Sequence, residues 1–209
     1  IWDEAGAFVL PESGKISPGL PAPGDFDAFW DEEKRKLAAV PLNAKLTPVP
    51  LPQEFSHLTG IECFDVQVDC IGPPVSGYLC RPRNAREKSL PAHITFHGAG
   101  VRSSSIASAI SLANQGRIGL DINAHGLPNG RPPEFYQNLL SGDLRDYPFI
   151  GSENRETCYF LGMYLRVKRA IDFVTSLPEW NGILVASGES QGGAQAIVAG
   201  GLDPRVTIV

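Results

Sequence analysis

The chain has 209 residues, 43% of them apolar and 20% charged, with a formal net charge of −5. That length and balance suit one folded domain with a sizeable core and exclude a disordered or fibrous chain. No apolar run approaches bilayer thickness and the longest cluster of basic residues is Lys34-Arg35-Lys36, so neither a membrane nor nucleic acid is expected as partner. The sequence does not open on a basic-then-apolar leader, so any export signal is expected outside it, with a secreted or periplasmic location favoured over a cytoplasmic one. Cys63, Cys70, Cys80 and Cys158 show no C-x-x-C spacing and no neighbouring His pair. No metal site and no organic cofactor are therefore expected. Buried free thiols are, with one disulfide left open among the cysteines in β-like runs.

Residues 1–24 repeat Pro and Gly without a period, which predicts an extended arm or linker ahead of a domain over 25–209. Asp25 is placed to N-cap a helix from Phe26 to Val40, with Phe26, Phe29, Trp30, Glu33 and Leu37 on one face and Pro41 as its stop. From Leu58 to Pro82 the period falls to two, on either side of Gly72-Pro73-Pro74, predicting an antiparallel hairpin. Strands then alternate with helices: strand 93–96, helix 103–114, strand 118–122, short helix 132–140, long helix 157–177, strand 182–187, helix 191–200 and a strand beginning near Val206. Right-handed βαβ crossovers build a parallel sheet from such a pattern, so the class is α/β, mostly parallel, with helices on both faces and an antiparallel hairpin at the start.

The stretch Gly188-Glu189-Ser190-Gln191-Gly192-Gly193-Ala194 joins a predicted strand to a small-residue helix. This strand–turn–helix setting is what a nucleophile elbow requires, and it makes Ser190 the candidate nucleophile. Small neighbours let strand and helix approach closely around a strained serine. The helix directs free N–H groups toward the serine oxygen, so the Gln191 amide is the expected first oxyanion donor. The loop Phe96-His97-Gly98-Ala99-Gly100 is placed to give the second, from the amide of Ala99. His97 reads as a holder of that loop or a substrate contact, and His125 and Asn123, after the strand ending at Ile122, as residues lining the pocket. Trp30 and the region from Tyr136 to Tyr147 offer apolar or sugar-stacking surface.

DFDAFWDEEKRKLAAVP, FHGAG, the segment from Arg155 through Phe173 and GESQGGAQAIVAGGLDPRV together resemble the acetyl xylan esterase and cephalosporin C deacetylase family, an α/β-hydrolase group. The resemblance spans most of residues 24–209. It implies a serine hydrolase that removes acetyl groups from sugars through an acyl-enzyme on Ser190, with an acetylated xylan or oligosaccharide as partner. Two positions depart from the family pattern. Asn123-Ala124-His125 stands where the family usually has Arg-Gly-Gln, and Ala99 where it usually has a larger, often aromatic, residue.

In an α/β-hydrolase the triad runs Ser, then Asp or Glu, then His. Here His57, His93, His97 and His125 all precede Ser190, and Asp203, in a turn before Pro204, is the only carboxylate after it. The triad acid and base are therefore expected on a continuation, with the C-terminal part of the hydrolase domain absent from this sequence and needed to complete sheet and triad. A homo-oligomer is left open. The other readings are a serine peptidase of the prolyl-oligopeptidase type, which would add propeller blades not found here, and a non-catalytic carbohydrate-binding relic of the fold.

Overall fold

The computed structural model describes residues 20–209; most of the arm expected over residues 1–24 lies outside them. Helix α1 (Phe26–Ala38) buries Leu37 and Glu33, two members of its predicted stripe. The expected cap at its start is not made. Asp25 precedes the helix without a side-chain cap, and its carboxylate instead accepts 2.9 and 2.6 Å hydrogen bonds from Arg155. A bidentate guanidinium outcompetes a single backbone N–H for that carboxylate.

Six strands form one mixed sheet in the order β1-β2-β3-β5-β4-β6. Strands β1 (Lys45–Val49), β2 (Ile61–Val68) and β3 (Val75–Pro82) meander antiparallel, and β2–β3 is the predicted hairpin. Sequence pattern missed β1, a five-residue strand interrupted by Pro48; proline is tolerated there because β1 is the sheet edge. Strand β5 (Ile118–Ile122) runs antiparallel to β3 and parallel to β4 (Leu90–Phe96), which in turn runs parallel to β6 (Trp180–Gly188). The strand start expected near Val206 is a single parallel bridge from Val185 to Ile208.

Helix α2 (Ile106–Asn114) covers one face, packing Ala109, Ile110 and Ala113 on Ile61, Cys63 and Cys80. Helices α4 (Tyr159–Thr175) and α5 (Gln191–Leu202) cover the other, where Val167, Ile171, Val174, Ala196 and Ala199 meet Val66, Leu79, Ile94, Leu120 and Leu184. Alternate residues of β2 thus serve different cores, as a pleated strand dictates. Between β5 and α4 lie the short helix α3 (Pro133–Ser141) and a 3₁₀ turn at Tyr147–Phe149, over a small cluster of Val101, Ala124, Tyr136, Tyr147 and Met163.

Cys63 and Cys80 face each other across β2 and β3 and form a disulfide, while Cys70 and Cys158 are free. The disulfide left open among the cysteines of the β-like runs is thus Cys63–Cys80, and free thiols remain at Cys70 and Cys158. Connections from β4 lead first to β5 on one side, then across to β6 on the other. Such a reversal leaves a crevice at the carboxyl end of β4, flanked by the loops after β4 and β6.

Candidate active site

Ser190 stands in that crevice, exposed, with φ 52° and ψ −121°. A non-glycine residue rarely adopts this conformation, which costs on the order of 1–3 kcal/mol unless its surroundings enforce it. Here the surroundings do. A methyl group on Gly192 would come within 2.1 Å of the Phe96 carbonyl oxygen, and one on Gly188 within 2.4 Å of the Gly192 carbonyl oxygen. The turn is thus wedged between the end of β4 and the start of α5, a position only glycines permit. The Gly192 amide donates to Glu189 O at 2.8 Å and the Ala194 amide to Ser190 O at 3.1 Å, closing the bend beneath the serine.

Gln191 is the first residue of α5, so its N–H has no acceptor within the helix and sits at the positive end of the helix dipole. Across the crevice, the loop after β4 touches the serine: a methyl on Gly98 would lie 3.8 Å from Ser190 Cβ. Arg102 donates to the carbonyls of Gly98 (2.9 Å) and Ala99 (3.2 Å). In a trans peptide N–H and C=O point opposite ways. Turning the Gly98 carbonyl toward Arg102 therefore turns the Ala99 N–H away from it, and among the described residues that N–H has no acceptor. Two amides without acceptors among the described residues thus lie in the two segments that flank one exposed serine.

The histidines take other work. His97 Nδ1 lies 2.6 Å from Gly98 O and 3.3 Å from Arg102 Nε, and its Nε2 accepts the Ala124 N–H at 3.4 Å, which ties two loops together. Burial lowers its pKa, so it stays neutral. His125 corrects the expectation of a pocket-lining residue. It is 2% exposed, with Nδ1 2.6 Å from Tyr159 Oη and Nε2 3.1 Å from Gly100 O. Both ring nitrogens are occupied, and burial pulls its pKa down to about 4. Asn123 is likewise fully buried rather than lining the pocket. Its carboxamide accepts the Leu127 N–H at 2.9 Å and donates to Leu127 O at 2.8 Å, closing the loop on itself. Arg166 of α4 donates twice to Ala124 O, at 3.1 and 2.7 Å, and holds the same loop from below.

His93 forms an apparent dyad with Ser187, Nε2 to Oγ 2.7 Å, but Arg117 approaches Nδ1 at 3.3 Å. A donor at Nδ1 leaves the proton on Nε2, which then donates to Ser187 and cannot act as its base. His57 is exposed at the opposite, amino edge of the sheet. Asp203 caps the far end of α5, about 20 Å along the helix from Ser190. Burial raises its pKa, but hydrogen bonds from Arg205 and the charge of Lys168 outweigh this and draw it to about 2. Among the described residues no imidazole or carboxylate bonds Ser190 Oγ.

The aromatic expectations also change place. Trp30 packs on Phe29 and Tyr164 in a groove between α1, α4 and the carboxyl half of α5, away from the serine. Tyr136 and Tyr147 are buried. Sequence pattern did not single out Arg102, Arg166 or Tyr159, because no periodicity or motif marks a residue whose task is to hold a loop carbonyl or an imidazole.

Residues 9–209 match the sequence model of the acetyl xylan esterase (AXE1) family. Among characterised relatives, acetyl esterase Axe7A of Xylanibacter ruminicola is 30% identical over 197 residues, which are 92% of this chain and 44% of that protein. An acetyl xylan esterase structure from Paenibacillus sp. superposes with a TM-score of 0.77 at 28% identity, over 95% of this chain and 62% of that one. Acetyl xylan esterase 1 from Thermoanaerobacterium sp. shares the fold, with a TM-score of 0.70 at 18% identity, over 95% and 61% of the two chains. The chain therefore spans 44% to 62% of the length of these relatives. Matched by that family model over residues 9–209, this chain belongs to the acetyl xylan esterase family.

Proposed function

We propose that this chain carries the nucleophile and oxyanion hole of a serine esterase that removes acetyl groups from acetylated xylan or xylo-oligosaccharides. The observation that carries the reading is Ser190 at φ 52°, exposed at the turn from β6 into α5, whose first residue Gln191 has an N–H without an acceptor among the described residues. Ser190 Oγ attacks the acetyl carbonyl carbon as its proton passes to a histidine. The carbonyl oxygen becomes an oxyanion held by the Gln191 and Ala99 N–H groups, and the sugar alcohol leaves with the proton. Water then attacks the acetyl-serine by the reverse route and releases acetate. Because the four histidines of this sequence are engaged elsewhere or remote from Ser190, the base and its carboxylate are assigned to the part of the family's length that this chain does not span. They complete the order Ser, acid, His. His97, His125 and Asn123 shape the site by fixing its loops.

The Cys63–Cys80 disulfide supports maturation in an oxidising compartment, secreted or periplasmic. The test of the function is acetate release from acetylated xylan by the complete protein, compared with Ser190→Ala. The reading predicts turnover that the substitution lowers by about 10⁴-fold or more. Turnover unchanged by Ser190→Ala, or none in the unmodified protein, contradicts it.

A further inference from the structure

The ladder between β4 and β6 ends at the pair Phe96–Gly188. Both oxyanion amides lie beyond it, one in each following segment, 92 residues apart in sequence if counted from Ala99 to Gln191. No backbone ladder holds these two segments in register, yet an oxyanion hole works only when both donors meet one oxygen at about 2.7–3.1 Å. Side chains must do it, and they come from the same place. Tyr147, in the 3₁₀ turn, donates its hydroxyl hydrogen to Gln191 Oε1 at 2.5 Å. Tyr159, at the start of α4, holds His125 Nδ1 at 2.6 Å, and the other face of that ring reaches Gly100 O, next to Ala99.

These three rings form one cluster. His125 meets Tyr147 edge-on with centroids 4.7 Å apart, Tyr147 lies 5.3 Å from Tyr159, and His125 lies 5.8 Å from Tyr159. The carboxamide of Gln191 is fixed at its oxygen, and its Nε2 is buried with no acceptor among the described residues. Only the tyrosine therefore anchors that side chain. We propose that Tyr147 and Tyr159 are positioning residues for the oxyanion hole, one hydroxyl fixing Gln191 and the other fixing the Gly98–Gly100 loop through His125. The connection between β5 and α4 is thereby part of the catalytic scaffold, although none of its residues touches the reacting atoms. This rests on the esterase reading above.

The test uses the complete protein and an aryl acetate, whose small alcohol removes any effect of sugar binding. Tyr147→Phe and Tyr159→Phe are each expected to lower kcat by about 10- to 100-fold, with KM changed by less than about threefold. The control is Tyr136→Phe. Tyr136 is also a buried tyrosine of this connection, but its hydroxyl donates to Pro128 O at 2.8 Å, accepts the Arg131 N–H and bonds neither donor segment. It is expected to keep kcat. Equal losses in all three variants, or kcat within about twofold of wild type for Tyr147→Phe, overturn the brace. Gln191→Leu keeps the backbone amide while removing the acceptor. It should lose as much as Tyr147→Phe, with no further loss in the double variant, since the two act through one bond. Retained kcat in Gln191→Leu overturns the proposal even if a tyrosine variant fails to fold. An active wild type with unaffected variants removes the brace alone, whereas a wild type that releases no acetate removes the esterase reading and the brace with it.

Discussion

At the scale of single residues, the site is a set of polar atoms left unpaired by design and others paired so that they stay so. Arg102 spends its guanidinium on two loop carbonyls, and the free Ala99 amide is the consequence. Replacing it by leucine should lower kcat by about tenfold or more while leaving the melting temperature within a few degrees, since Arg102 is exposed in part and supports no core. His125 makes a different prediction. Its pKa is about 4 in the folded chain against 6.5 when unperturbed, so the unfolded state binds the extra proton first as pH falls. The stability that its neutral form contributes is complete above pH 6.5 and is lost as pH falls from 6.5 toward 4. Over that window the loss is about 3 kcal/mol. Denaturant titrations at pH 7.5 and 4.5 check it: His125→Gln should flatten the difference, and an unchanged pH dependence contradicts the assignment.

At the scale of elements, close backbone approach decides what can be substituted. Gly192 touches the end of β4, so Gly192→Ala must push α5 away from the sheet, at a cost of about 3 kcal/mol with loss of the elbow. Gly193, one residue on, has its nearest neighbour at 3.5 Å, and Gly193→Ala is expected to be neutral or to stabilise α5 by up to about 1 kcal/mol. Comparing the two melting curves tests the wedge; equal effects contradict it. The disulfide closes a loop of 17 residues between β2 and β3, and its replacement by paired alanines should cost about 3 kcal/mol.

The same scale shows what could be read in advance. The hairpin, the β4–α2–β5 unit, α4, β6 and α5 announce themselves because each has one solvent-averse face and a regular period. The elbow is legible because its glycines are required by contact. Strand β1 was hidden by Pro48, and the segment 142–158 by its lack of any period. The roles of His125 and Asn123 were misread for one reason. A loop histidine after a strand looks the same in sequence whether its ring faces the crevice or, as here, is sunk between Tyr147 and Tyr159.

At the scale of the whole molecule, the sheet divides its labour. The antiparallel half, β1 to β3, is a platform stapled by Cys63–Cys80, and the parallel half around β4 presents Ser190 at its carboxyl edge. No helix among the described residues is long and apolar enough to cross a membrane. Ile183, Ile197, Ile208 and Val209 are exposed around β6 and α5, the side of the sheet where Val185 bridges Ile208. Under the proposal that the base is supplied from elsewhere, residues 1–209 alone are expected to associate through this surface and to release no acetate. A monomeric 209-residue protein with esterase activity would contradict both expectations.

The central claim is that Ser190 is an activated nucleophile. Treating the complete protein with a fluorophosphonate and mapping the adduct by mass spectrometry tests it directly. One adduct is expected, on Ser190, absent from Ser190→Ala and abolished by prior denaturation. An adduct on Ser187 or another residue, or none in protein that is demonstrably folded, contradicts it.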